Sequence, residues 1–328
     1  MGGLKANLKR WGFVCLTGYI LYFYSEKVFW GHFRADDCRP SEILSTVFAY
    51  SLLAYVLLAS IYYFRARQLA ALFLCGGLFG WFGEGILVQT MYQNFPLNIS
   101  CTGLSWHALL TTVIGWFGLR RILIAGQTGK TARVSAWMGL FWALWSVFWW
   151  SESGQITPFA DYCLYALSTT TFLVLAYWLY DCFVGWQFKP AKWDMVFLCL
   201  FFFLLFVFWA VPRVHQAVVV FPATVVPTLL LLWRYRLQCG PEASSPDGTA
   251  RNCTQQLLAG SMRPVDALCV FAMPLVAVVV YGLLLVSGIR QPYTGWLVYL
   301  VTVPAGFIGY IWAAVKILRP GGATDSSS

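Results

Sequence analysis

The chain contains a long series of apolar runs, each about 20 residues long and separated from the next by a short polar connection. Such a run, coiled as a helix, is long enough to cross the hydrocarbon core of a bilayer. Charged residues make up only 11% of the chain, whereas a soluble domain has about 25%. We therefore predict an all-α fold, a polytopic transmembrane helical bundle with about ten spans that forms a single integral membrane domain over residues 1–328. The predicted spans are residues 11–30, 43–64, 69–90, 103–124, 131–151, 161–186, 193–211, 216–233, 267–288 and 294–318.

The basic residues are distributed unevenly between the two sides of the predicted bundle. If the N-terminus is cytoplasmic, all but five of the 22 Lys and Arg residues lie on the cytoplasmic side. Cytoplasmic loops carry such an excess, so we predict an even number of spans with both termini in the cytoplasm (N-in/C-in). The short loops are typical of a bacterial inner (plasma) membrane protein. The net charge of +9 follows this topology, so it does not indicate a nucleic-acid partner, and the lipid bilayer is the expected surrounding. The five exceptions are Lys27, Arg34, Arg39, Arg213 and Arg290.

Ten spans with both ends on one side permit a division into two five-helix halves, residues 1–151 and 161–318, inverted relative to each other as in many transporters. The third span of the first half is rich in glycine, and that of the second contains Pro222 and Pro227. This feature can mark a binding site between repeats, but it is also common in ordinary membrane helices. We further predict a flexible cytoplasmic loop at residues 234–266 and a disordered tail at 319–328. The sequence does not indicate an oligomeric state.

Glu84 is the most informative residue, because it is the only charged side chain in the predicted span 69–90. A carboxylate inside the bilayer costs a few kcal/mol or more, so such groups usually face a partner, a cavity or a pathway. Gly76, Gly80 and Glu84 are spaced by four residues and share one helix face. Small residues at this spacing let a second helix approach closely. We therefore predict that Glu84 faces protein.

The next span carries a matching stripe of Gly103, His107, Thr111 and Gly115, again spaced by four residues. At a rise of about 1.5 Å per residue, Glu84 lies roughly 9 Å and His107 roughly 6 Å from the outer ends of their helices. Because these helices are sequential and antiparallel, we predict that the two side chains meet. The pair would serve either as an acid/base site or as a structural hydrogen bond between helices.

Other polar residues fall in the same outer half of the predicted bundle. Asp161, Tyr165 and Ser168 form a stripe that descends the sixth span, and His215 lies near the outer end of the eighth. We predict Glu84, His107, Asp161 and His215 as catalytic candidates, and Gly76, Gly80, Thr111, Tyr165 and Ser168 as packing or pocket residues. Scattered histidines without metal-ligand spacing do not predict a metal site, and no motif indicates a cofactor.

Aromatic residues are unusually frequent, at 18% of the chain. Trp142, Trp145 and Trp149 follow each other at helical spacing on the fifth span. They would serve either as packing and interfacial residues or as the wall of a slot for a hydrophobic or amphipathic small molecule such as a lipid or isoprenoid. Cys38 and Cys101 are both predicted on the outer side, where they would be able to form a disulfide.

Three functions are compatible with these features. The first is a membrane-embedded enzyme that acts on a lipid or isoprenoid-like substrate by acid/base chemistry, with Glu84 and His107 as the pair. The second is a secondary transporter, with or without proton coupling, built from two inverted repeats with Glu84 as the protonation site. The third is a non-catalytic subunit of a membrane complex. We rank the enzyme first, because the ionisable residues cluster on one side instead of lining a route across.

Overall fold

The computed structural model describes residues 2–30, 39–153, 156–239, 251–288 and 293–319, and within these ranges it contains helices and no strand. Several of the helices continue into short π- or 3₁₀-helical turns, which are given below where they matter. The helices are α1 (Gly2–Tyr22), α2 (Pro40–Tyr63), α3 (Leu69–Phe82), α4 (Ile99–Leu119, continued by Arg120–Ile124), α5 (Thr128–Ser153), α6 (Phe159–Leu179), α7 (Lys192–Leu205), α8 (Ala217–Gln238), α9 (Cys253–Leu257), α10 (Pro264–Cys269), α11 (Ala272–Val286) and α12 (Tyr293–Leu318).

Each of the ten predicted spans coincides with a helical segment, and eight of these segments are long and apolar enough to cross a membrane. The all-α class and the multi-pass membrane character follow from these eight helices. The segments outside this set are α1 and α5, which combine basic residues with several Trp or Tyr side chains and so have lower hydropathy. That they also cross the bilayer, and that both termini are cytoplasmic, stay predictions. The eight are Ser41–Tyr63, Leu69–Leu87, Ile99–Ile124, Phe159–Phe183, Lys192–Arg213, Ala217–Gln238, Pro264–Val286 and Tyr299–Leu318.

Helix α3 lies at the centre of the bundle and contacts α2, α4, α8 and α12. Within the span Leu69–Leu87, 83% of the most apolar stretch is buried inside the protein, against 17% for the span Lys192–Arg213. A central helix must be apolar on all sides, and α3 is. Helix α7 instead lies at the edge, where most of its side chains would face lipid.

Glycines allow α3 and α4 to pack with their backbones almost in contact. A Cβ atom on Gly76 would lie 2.9 Å from the Cα atom of Ala108, and one on Gly80 would lie 2.8 Å from the Cβ atom of His107. Neither distance is compatible with a larger side chain unless the helices separate. The four-residue spacing of these glycines therefore sets how closely Glu84 and His107 approach each other.

Arginine–aspartate pairs hold together the end of the bundle that lies opposite the α3–α4 connection. We call it the arginine end. Arg10 pairs with Asp194 at 2.8 Å, joining the start of α1 to the start of α7. Arg120 is fully buried, pairs with Asp181 at 2.6 Å, and also donates to the backbone carbonyl of Tyr177. A buried guanidinium needs such additional hydrogen bonds to offset its desolvation.

Part of the predicted flexible loop at residues 234–266 is instead ordered. Its first residues complete α8, residues 240–250 lie outside the described part, and residues 251–266 form α9 and the start of α10. Asn252 and Gln255 cap α9 reciprocally, Leu257 is buried, and the Arg120 guanidinium donates to the carbonyls of Leu257 and Gly260. These bonds explain why a segment of loop-like composition closes the arginine end. Of the predicted tail at 319–328, only Arg319 is described.

Candidate functional site

Glu84 and His107 meet at the end of the bundle opposite the arginine end. His107 Nε2 and Glu84 Oε1 are 2.8 Å apart, a direct hydrogen bond between α4 and the turn that continues α3. The Glu84 side chain is 14% exposed and the His107 side chain 6%. The carboxyl group is therefore the more accessible member of the pair. The ring of His107 also contacts the edge of Phe79, with centroids 5.2 Å apart.

The pair belongs to a longer chain of hydrogen bonds. On one side, the Thr90 hydroxyl donates to Glu84 Oε2. On the other, Ser25 Oγ lies 3.0 Å from His107 Nδ1 and 3.1 Å from Thr111 Oγ1. Both imidazole nitrogens and both carboxyl oxygens therefore have a partner. Ser25 was not among the predicted site residues.

The position of the proton between Glu84 and His107 sets the direction of the bonds from Glu84 to Thr111. An ionised carboxylate only accepts, so a neutral His107 must carry its proton on Nε2 and accept at Nδ1. Ser25 must then donate to the imidazole and accept from Thr111. If Glu84 is protonated and donates to Nε2, the proton of the imidazole sits on Nδ1 and the order reverses as far as Thr111. The chain can thus take up one proton at the carboxyl group without losing a hydrogen bond.

The three central members of this chain all lie in π-helical segments, of which those at Ser25 and Glu84 are single turns. Ser25 lies in Phe23–Lys27, which continues α1, Glu84 lies in Gly83–Leu87, and His107 lies in the π-helical part of α4, Ile99–Leu119. A π-turn has i→i+5 hydrogen bonds and is frequent at functional sites. Such a turn shifts the direction of the following side chains relative to an α-helix.

A cavity of about 400 Å³ adjoins the pair. One part of its wall is polar and includes the hydrogen-bonded chain from Ser25 to Thr90, and another part is aromatic. The cavity lies against the connection between α3 and α4, at the end of the bundle that is remote from the arginine pairs. Its lining residues are Ser25, Glu26, Phe29, Glu84, Val88, Thr90, Gln93, Asn94, Asn98, Cys101, Thr102, Trp106, His107, Trp145 and Tyr299.

The aromatic wall is a compact cluster. The rings of Phe29 and Trp106 meet edge to face with centroids 4.5 Å apart, and Trp145 packs against Trp106 at 5.2 Å. Trp106 Nε1 donates to the carbonyl of Tyr24, which ties the wall to the π-turn that carries Ser25. Trp145 and its neighbour Trp142 are both buried. The side chain of Trp149 lies outside the described part.

Comparison with known proteins identifies no relative. No family model, no curated protein and no solved structure matches the chain.

A second carboxylate, Glu26, lines the same cavity. Tyr50 donates to Glu26 Oε1 at 2.6 Å, which links the π-turn after α1 to α2. One signal for this residue is present in the sequence, since Glu26 follows an apolar run directly and has Ser25 on one side and Lys27 on the other. The sequence shows the change from apolar to polar residues at Glu26, but it does not show that Glu26 lies near Glu84.

The connection between α3 and α4 is fixed by side-chain bonds to its backbone. Asn98 Nδ2 donates to the carbonyl of Thr90, and Tyr299 of α12 donates to Asn98 Oδ1. Tyr92 donates to the carbonyl of Gly85 at 2.9 Å, and burial raises the pKa of its hydroxyl well above the usual range, so the donor proton is retained. These bonds hold Thr90 against Glu84.

The other predicted catalytic residues lie elsewhere. Asp161 and His215 are both exposed, at the start of α6 and just before α8, and neither lines the cavity. Tyr165 is buried and donates to the carbonyl of Lys27, next to the site but outside its wall, and Ser168 bonds the backbone of its own helix. The structure thus brings together Glu84, His107 and Thr111 from the predicted set and adds Ser25, Glu26 and Thr90.

Two further predictions concern cysteine and metal chemistry. Cys38 lies outside the described residues, and Cys101 is buried with its Sγ atom 3.7 Å from Thr302 Oγ1. Among the side chains that the structure describes, no group of three or more His, Cys, Asp or Glu is placed to hold a metal ion. The side chains from Ser25 to Thr90 are suited to proton transfer, because they form one hydrogen-bonded chain.

Proposed function

We propose that this protein is a membrane-embedded enzyme that performs acid/base chemistry on an amphipathic, lipid- or isoprenoid-like substrate. The observation that carries the proposal is the placement of the Glu84–His107 bond in the wall of a cavity of about 400 Å³ at one end of the bundle. The interior between this cavity and the arginine end is filled by buried aromatic side chains, including Trp116, Tyr177 and Tyr180. A pocket at one end suits a reaction at one membrane face.

Glu84 is the group that exchanges a proton with the substrate in this proposal. It is more exposed than His107, whose two ring nitrogens are both engaged. His107 shares the proton, and Ser25 sets which nitrogen carries it. Positioned general acids and bases of this kind accelerate reactions by about 10²–10⁴-fold.

The cavity wall supports an amphipathic substrate. The aromatic cluster of Phe29, Trp106 and Trp145 provides an apolar surface of the kind that binds hydrocarbon. Glu84 and Asn98 lie on the polar part of the wall. A molecule with an apolar body and one polar or unsaturated end would place that end against the carboxyl group.

A deuterium experiment tests the reaction class without a known substrate. The protein is reconstituted with a total membrane lipid extract in D₂O, and lipids are followed by chromatography and mass spectrometry. We expect one lipid class to gain deuterium or change mass only with active protein. Glu84→Gln and His107→Gln should each slow this change about 100-fold or more.

Asp161→Asn and His215→Gln are matched controls, because they make the same chemical changes at exposed residues outside the cavity. Both should retain the rate of the native protein. Lipid turnover that is equally fast in Glu84→Gln and native protein would refute the proposal.

A transporter is the second candidate, and one observation favours it. Buried hydroxyl groups continue from the site toward the arginine end, where Tyr24 and Tyr177 lie 3.2 Å apart and Tyr180 and Thr17 lie 2.6 Å apart. The packing of the two proposed halves argues against a transporter built from inverted repeats. Helix α1 packs along α2, whereas the described residues of α6 and α7, the corresponding pair, make at most marginal contact.

Proton flux separates the two candidates. Proteoliposomes with a pH-sensitive dye inside should show no substrate-dependent flux if the protein is an enzyme of one membrane face. Flux that requires Glu84, together with unchanged lipids in the deuterium experiment, would identify the transporter instead.

A further inference from the structure

A second large cavity lies on the lipid-facing side of the bundle, away from Glu84. It has a volume of about 410 Å³ and lies between α2, α3, α7 and α8. Its wall is almost entirely apolar from Phe82 and Phe202 at one end to Trp233 and Arg236 at the other. Its lining along α8 begins at Val225 and ends at Arg236. At a helical rise of about 1.5 Å per residue, this stretch is roughly 16 Å long.

This apolar cavity, which we call the groove, exists because α7 is held to the bundle mainly at its two ends. Near the arginine end, Asp194 pairs with Arg10 and accepts a bond from Tyr55. Toward the other end, Phe202 meets the edge of Phe82 with centroids 5.2 Å apart. Between these contacts the helices leave an apolar gap. In a bilayer, such a gap on the lipid-facing side is filled by hydrocarbon, because water there would face no polar partner.

The polar end of the groove carries a positive charge. Arg236 lines it and lies 5.4 Å from the ring of Trp233, and Tyr63 of α2 lines it as well. Trp, Tyr and Arg side chains are characteristic of the membrane interface. A groove of roughly 16 Å from this interface covers about half of a hydrocarbon core that is about 30 Å thick, which is the depth of one leaflet.

We propose that this groove binds one acyl chain of an anionic phospholipid from the leaflet at the arginine end, with the lipid phosphate on Arg236. The length of the groove fits a single leaflet, its wall fits hydrocarbon, and its one charged lining residue is complementary to phosphate. This lipid holds α7 against α2 and α8. The proposal is independent of the reaction at Glu84.

Native mass spectrometry of the detergent-purified protein tests it. The protein is titrated with palmitoyl-oleoyl phosphatidylglycerol, which is anionic, or with phosphatidylcholine of the same chains, which has no net charge, so that the acyl chains are identical and only the headgroups differ. One basic side chain near an anionic headgroup contributes about 1 kcal/mol, so the first phosphatidylglycerol should bind about fivefold more tightly. Arg236→Gln should remove this preference, and Arg236→Lys should keep it.

Two matched controls make the result specific. Arg234→Gln changes an arginine two positions away that does not line the groove, and it should leave the preference unchanged. Cys199→Trp fills the groove from α7 and should abolish the first binding event for both lipids, whereas Leu200→Trp, on the exposed side of the same helix, should not. Equal binding of the two lipids by native protein, or tight binding by Cys199→Trp, would overturn the proposal.

Discussion

Replacing Glu84 by Gln separates a catalytic carboxyl group from a structural one. The amide has the same shape, and its oxygen can still accept from His107 Nε2, 2.8 Å away. Its NH₂ group then faces Thr90, whose hydroxyl rotates from donor to acceptor. Every hydrogen bond of the chain is kept. What is lost is the ability to gain and release a proton.

The expected loss of stability and the expected loss of turnover differ widely in magnitude. Because the hydrogen bonds of the site are kept, the free energy of unfolding should fall by less than about 1 kcal/mol in Glu84→Gln. Glu84→Ala instead leaves the buried His107 Nε2 atom without its partner, at a cost of about 1–3 kcal/mol. Turnover should drop about 10²–10⁴-fold in both variants, which corresponds to roughly 3–5 kcal/mol in the activation barrier.

The assay combines thermal unfolding in detergent with the deuterium experiment on reconstituted protein. A catalytic Glu84 predicts that Glu84→Gln is inactive at near-native stability. A structural Glu84 predicts that Glu84→Gln is active and that Glu84→Ala loses activity only as it loses stability. Native turnover in a stable Glu84→Gln protein would therefore refute the acid/base role.

Three further outcomes follow from the packing. Ser25→Ala removes the partner of the imidazole Nδ1 atom. Turnover in the deuterium experiment should then fall about tenfold at unchanged fold, since one positioning hydrogen bond contributes about 0.5–1.5 kcal/mol. Gly80→Ala places a Cβ atom 2.8 Å from the Cβ atom of His107. Gly129 has open space around it and serves as the control position. Gly80→Ala should therefore lower the unfolding free energy by about 1–3 kcal/mol, and Gly129→Ala should not lower it. Arg120→Met removes a fully buried cation and leaves the partly buried Asp181 without its partner. The unfolding free energy should fall by about 1–3 kcal/mol, against less than about 1 kcal/mol for Arg121→Met at the exposed neighbouring position.

The helical membrane fold could be predicted from the sequence because apolar runs of about 20 residues have no other stable arrangement in a bilayer. The meeting of Glu84 and His107 could be predicted as well. Their helices are sequential, and the glycines at four-residue spacing set which faces approach. Local sequence spacing was enough for this part of the site.

The rest of the site depends on contacts between distant segments. Ser25 comes from the end of α1, 82 residues before His107 in the chain, and nothing in the sequence spacing links the two. Asp161 and His215 lie near helix ends as predicted, but helix rotation was not defined by their neighbours, and both are exposed. Polar residues close to an interface need no protein partner, because water is available to them.

The π-helical segments explain why sequence spacing alone was insufficient to predict the whole site. They also bring its polar side chains together. In an α-helix, residues after Ser25 or Glu84 would follow the 3.6-residue period, and one turn with i→i+5 bonds changes their direction. Three such segments meet at one point, where they bring a hydroxyl, an imidazole and a carboxyl group into one chain of hydrogen bonds. Because His107 is held at both nitrogens, a protonated Glu84 that donates to Nε2 reverses the hydrogen bond between His107 and Ser25, beyond the end of α1. The turn that follows α1 is therefore part of the same hydrogen-bonded unit, and the close packing of α3 on α4 is a condition for the contact between Glu84 and His107.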